Sequence, residues 1–153
     1  MKTNATNTNV EVTGKEASSK SAVFNLSTIT KNFPATSDTM LVDTRLTDEE
    51  KASARVFRVY IPVPAHYHTS CDEYLMVLSG RAKWFFGDEP PFEVGPGHLI
   101  FFKQNTVHGT SEILEEPFVV LAVDTPRRPP SDITFVNPSD GTAETFIQSK
   151  VLY

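Results

Sequence analysis

Between residues 55 and 123 glycine and proline cut the chain into short apolar runs, and that punctuation limits the folds open to it. Residues 55–61, 74–78, 81–86, 92–94, 98–102, 107–114 and 118–123 each suit a strand and are short for a helix. Ser79-Gly80 has the form of a two-residue hairpin turn, and Gly87-Asp88-Glu89-Pro90-Pro91 that of a longer turn. Turns at such intervals predict an all-β chain, an antiparallel barrel or jelly roll. Strands are also predicted over residues 21–26 and 39–46. Thr47-Asp48-Glu49-Glu50 resembles a capping box and predicts either one helical turn through Ala54 or a polar loop.

His66 and His68 are separated by one residue, and Pro62 and Pro64 upstream oppose a helix. In an extended segment both imidazoles face the same way, because strand side chains alternate. Glu73 follows closely, and His108 comes much later, after a glycine turn and the apolar run of Leu99-Ile100-Phe101-Phe102. Three imidazoles and a carboxylate brought together would suit one divalent transition metal: Fe, Mn, Ni, Cu or Zn. An octahedral ion would keep two positions for water, oxygen or substrate, whereas tetrahedral zinc would be closed.

The order His66-x-His68, four residues, Glu73, six residues, Gly80 resembles the first motif of the cupin family. Gly95-Pro96-Gly97 through His108 is similar to the second. His98 stands where the family usually has an acidic residue, and Lys103 and Asn105 replace its usual proline and glycine. The resemblance spans roughly residues 60–112. It implies a cupin double-stranded β-helix, or jelly-roll barrel, with His66, His68, Glu73 and His108 as metal ligands, and a homodimer. It also implies dioxygenases, isomerases, lyases and decarboxylases as candidate activities, beside cupins that bind small ligands without turnover.

Other features narrow the class. A net charge of −5 and a pI near 5.3 argue against a binder of nucleic acid. A single cysteine excludes an internal disulfide, and no apolar run approaches the ~18 residues of a membrane span. Without a leader-like stretch near Met1, the expected location is cytoplasmic. Residues 1–20 are polar and expected to be flexible, with Val10 to Val12 able to pair at a sheet edge. Residues 21–153 are expected to form one cupin domain, with its metal-binding core at about 55–125 and an irregular tail at 126–153. Phe135, Phe146 and Ile147 are expected to pin that tail to the barrel or to a neighbouring subunit.

Over residues 55–61, Val56, Arg58 and Tyr60 share one face, and Phe57, Val59 and Ile61 the other. If the first face is internal, Arg58 and Tyr60 become catalytic candidates contacting a small-molecule substrate, Arg58 binding a carboxylate and Tyr60 donating a hydrogen bond. If it is external, they are surface groups; periodicity does not choose between the two. Cys71 is expected to be a buried thiol, His98 a solvated ring, and Trp84 with its neighbouring phenylalanines core. The function expected is a metal-dependent enzyme acting on a small polar molecule, favoured as an oxygen-dependent oxidoreductase. A metal-dependent isomerase or lyase and a non-catalytic ligand-binding cupin are the alternatives.

Overall fold

The structure is a computed structural model that describes residues 17–153, so the expectations for residues 1–16, the pairing of Val10 to Val12 included, lie outside the described residues. Nine strands form one hydrogen-bonded network: β1 (Leu41–Glu49), β2 (Ala52–Val59), β3 (His66–Tyr67), β4 (Asp72–Phe86), β5 (Phe92–Val94), β6 (Leu99–Phe102), β7 (His108–Thr125), β8 (Thr134–Phe135) and β9 (Ile147–Ser149). Two short helices accompany them, α1 (Leu26–Lys31) and α2 (Ala143–Phe146). The main path runs β5-β4-β7-β2-β1-β9, with β6 on β4, and with β3 joining β7 to β8. The chain is mostly β and folds as a jelly roll, although the ladder stays open rather than closing into a barrel.

Two long strands make this topology. The first half of β4 lies between β6 and the second half of β7, and its second half lies between β5 and the first half of β7. Ser79-Gly80 is therefore not a hairpin turn. It is a bend inside β4, marked by register shifts and by Gly80 at φ 74°. A side chain at Gly80 would strike the backbone of Glu115 and Pro117 on β7, so the two strands cross closely there. The separate runs at 107–114 and 118–123 likewise merge into the single strand β7, paired with β4 over most of its length.

Two other expectations fail near the N-terminus. The predicted strand at 21–26 is irregular through residue 25 and then enters α1, where the Asn25 side chain accepts from Thr28 N and caps the helix. The capping-box segment is strand and turn, with Glu49 paired to Ala52. Asp48 does not cap a helix there. Its carboxylate meets Arg45 at 3.1 Å and Arg127 at 2.8 Å.

The core has two compartments. Inward side chains of both halves, including Phe57, Val59, Leu75, Val77, Trp84, Phe102, Phe118 and Val120, form the interior, with Phe135 and Phe146 from the tail. On the outer face of β1, β2 and β7, Val42, Leu46, Val56 and Val119 pack against Ile29 and Phe33. The Val56, Arg58 and Tyr60 face is thus the outer one. Arg58 Nη1 donates to Pro34 O at 3.2 Å, and Tyr60 Oη donates to the same oxygen at 2.6 Å. Alternation along β2 puts Phe57 and Val59 inside, so Arg58 and Tyr60 are carried away from the interior.

Candidate metal centre

β3 and the start of β7 bring the histidines together. His66 lies directly opposite His108 in the ladder, and their ring centroids are 4.3 Å apart. His68 follows on the same side of its strand, and all three rings are buried. Gly109 allows this approach, since a Cβ there would stand 2.5 Å from Val63 O and 2.7 Å from the Phe85 ring. Phe102 stacks on His108 at 3.9 Å between centroids and fixes the ring from one side.

Each imidazole makes one hydrogen bond to a backbone carbonyl through Nδ1: His66 with Pro64 O at 2.8 Å, His68 with Asp132 O at 2.6 Å, and His108 with Thr106 O at 2.8 Å. A neutral ring that donates from Nδ1 keeps a lone pair on Nε2, the form in which imidazole binds a metal. Burial pushes the pKa of His66 and His68 well below 6.5, helped at His66 by the other two rings and at His68 by Arg128 and His108. Burial also lowers His108, against the pull of Glu73. The ligand-capable atoms of the three histidines lie within 4.8 Å of one another. Glu73 completes the group from β4, with Oε1 3.6 Å from His108 Nε2 and Oε2 3.9 Å from His68 Nε2.

Behind Glu73 lies a buried charge cluster. Arg55, 2% exposed, donates from Nη2 to Glu73 Oε2 at 2.8 Å and from Nε to Asp124 Oδ2 at 3.3 Å, and its Nη1 is 3.9 Å from Asp43. Arg128, fully buried, has Nε 3.6 Å from Asp124. Burial works against ionised Glu73, but Arg55 first, then His108 and Arg128, outweigh it and hold its pKa below the usual value. Asp124 is pushed the other way, chiefly by burial. Burial would also lower Arg55, yet Asp124, Glu73 and Asp43 raise it. Three carboxylates thus face two guanidinium groups. A divalent cation held by neutral imidazoles would answer the remaining negative charge, so the residues present fit a metal ion.

Sequence reasoning missed Arg55, although it lies in phase with Phe57 and Val59 once β2 is extended back to Ala52. It also missed Asp132, which had no signal at a distance of 64 residues from His68. The Asp132 carboxylate accepts from Thr69 N and Oγ1, both at 2.8 Å, and from Ser70 N at 3.0 Å and Oγ at 2.5 Å, so it braces the ligand loop as its carbonyl orients His68. Cys71 is a buried thiol, pushed up to about 12 first by burial and then by Asp124 and Glu73, and is inert at neutral pH. His98 is exposed in the Gly95 turn, away from the group.

A cavity of about 20 Å³ opens onto the histidines, Glu73 and Arg55. Its remaining walls are Leu41, Phe57, Val59, Val63, Trp84 and Phe146. The tail packs beside the group: β8 pairs with β3, β9 runs parallel to β1, and the rings of Phe135 and Phe146 lie 5.8 and 5.5 Å from His66. The expected pinning of the tail by aromatic residues is therefore found beside His66. Among the described residues no helix is long and apolar enough to cross a membrane.

An open jelly roll with three histidines and a glutamate inside defines the class of double-stranded β-helix proteins. The cupin domain family matches residues 59–124, and over that stretch the chain resembles the cupins. No curated protein matches it. Among solved structures it resembles a conserved protein with a double-stranded β-helix domain from Klebsiella pneumoniae (TM-score 0.62, 17% identity, 75% of this chain and 96% of that one). It also resembles an RmlC-like cupin from Methanocaldococcus jannaschii (0.52, 18%, 62% and 87%). A third is the DMSP lyase DddQ from Ruegeria pomeroyi (0.52, 23%, 61% and 47%). At these identities the likeness carries the fold alone.

Proposed function

We propose that this chain is a metal-dependent enzyme in which His66, His68, His108 and Glu73 hold one divalent transition metal, and that it is an oxygen-dependent oxidoreductase acting on a small organic molecule. The observation that carries the reading is the convergence of three buried imidazoles, each with Nδ1 already bonded to a carbonyl, beside an ionised carboxylate. Such a centre supplies Lewis acidity and, with a redox-active metal, a place for dioxygen to bind. The chain's own residues orient the ligands and wall a cavity of about 20 Å³, room for about one water-sized molecule. Apart from the ligands and Arg55, that wall is apolar, which suits dioxygen better than a phosphorylated sugar. Arg55 is not a spare anion receptor, since three carboxylates already surround it.

The deciding experiment is elemental analysis of protein prepared without chelators or an affinity tag that binds metal. Near-stoichiometric iron, followed by oxygen uptake with small acids, thiols or phenols, supports the proposal. Zinc, nickel or manganese with no oxygen uptake overturns its oxidative part in favour of an isomerase, a lyase or a ligand-binding role. No metal after reconstitution overturns the whole of it.

A further inference from the structure

Glu73 and Asp124 oppose one another across β4 and β7, both inward and both buried. Two carboxylates so placed repel, and without a cation between them one would turn away or take up a proton. Arg55 reaches across from β2 and bonds both, Nη2 to Glu73 Oε2 at 2.8 Å and Nε to Asp124 Oδ2 at 3.3 Å.

We propose that Arg55 is the positioning residue of the metal centre: its guanidinium clamps Glu73 against Asp124, so that Glu73 offers the ion one oxygen in a fixed direction. The inference rests on the metal-centre reading above. With Oε2 held by Arg55, Oε1 is the atom left beside His108 Nε2, at 3.6 Å. The clamp sets the number of oxygens the protein gives the ion, and with it how many positions stay open. It requires a rigid fork: a lysine carries the same charge but cannot bridge two carboxylates with fixed geometry. The Asp43 carboxylate has no hydrogen-bond partner among the described residues, and Arg55 Nη1 is 3.9 Å away, so the same guanidinium steadies a third carboxylate.

Cobalt(II) titration of the full chain tests this, reading the visible ligand-field spectrum and the dissociation constant, alongside thermal unfolding of the metal-free protein. Arg55→Lys is expected to fold, to bind one equivalent of cobalt about 10–100-fold more weakly, and to change the spectrum as Glu73 loses its fixed pose. The double variant Arg55→Met/Asp124→Asn removes the clamp while keeping the charge balanced, and is expected to show the same altered spectrum. It guards against a single variant that fails to fold. A wild-type spectrum and affinity in either folded variant overturns the role of Arg55 and leaves the metal centre standing. If the unaltered chain binds no cobalt, the metal-centre reading falls and takes the inference with it.

Discussion

The interior of this jelly roll has two ends built on the same strands. At one end, inward positions of β1, β2, β7 and β4 carry Asp43, Arg55, Asp124 and Glu73. Further along, the inward positions of those strands carry Leu41, Phe57, Ala122 and Leu75, each buried as deeply. Backbone geometry and burial are alike, and only the side chains differ. Burying each large apolar side chain contributes about 1.5–3 kcal/mol. Burying each ion costs several kcal/mol before pairing offsets it. Stability alone would favour the apolar end repeated twice, and the charged end is where the proposed metal site lies.

Substitutions at the two ends should therefore separate metal binding from stability. The largest effect is expected for His108→Ala, which removes one of three convergent imidazoles. Metal content should fall from one equivalent to near zero, as read by elemental analysis, and full occupancy in this variant would break the comparison. At the apolar end, Phe118→Ala should cost about 3–5 kcal/mol in denaturant unfolding and leave the metal stoichiometry of the folded fraction unchanged. Between them stands Asp132→Ala, which deletes the brace on Thr69 and Ser70 but keeps the carbonyl that meets His68. It should cost about 1–3 kcal/mol and weaken metal binding about tenfold in a competition titration.

Acid should act on the charged end in a fixed direction. The three histidines have folded-state pKa values below 6.5, so below that pH the unfolded chain binds protons that the folded one refuses. The stability they contribute is present above about pH 6.5 and is lost as pH falls through their depressed values. Metal-free protein unfolded by urea at stepped pH should show this slope, and the slope should shrink in His66→Gln. The smallest effect is expected for Tyr60→Phe on the outer face, about 1 kcal/mol or less from the lost bond to Pro34 O, with metal binding untouched.

The converging group of His66, His68, Glu73 and His108 was legible in the sequence because each of its parts is local: the His66–His68 alternation, Glu73 one short loop away, and a glycine turn before the strand that precedes His108. The apolar strands were legible for the same reason. The joining of short runs into β4 and β7 was not, because Gly80 reads as a turn until its close neighbours on β7 are known. Arg58 and Tyr60 drew notice because they sit alone among apolar residues, whereas Arg55 lay at the edge of the run. Which of the two faces turned inward was settled by α1 and Phe33 covering the other. Asp132 and Phe146 reach the site through tertiary pairing alone, and no local pattern marks them.

The packing of Phe135 and Phe146 beside His66 draws the surroundings of the group from two parts of the chain. All four proposed ligands fall within the cupin match at residues 59–124, while both aromatic rings and the Asp132 brace fall after it. The part that carries the proposed ligands and the part that packs rings against His66 are separate stretches of polypeptide. Exchanging the tail between two such proteins would therefore change the aromatic wall beside His66 and leave the four proposed ligands in place.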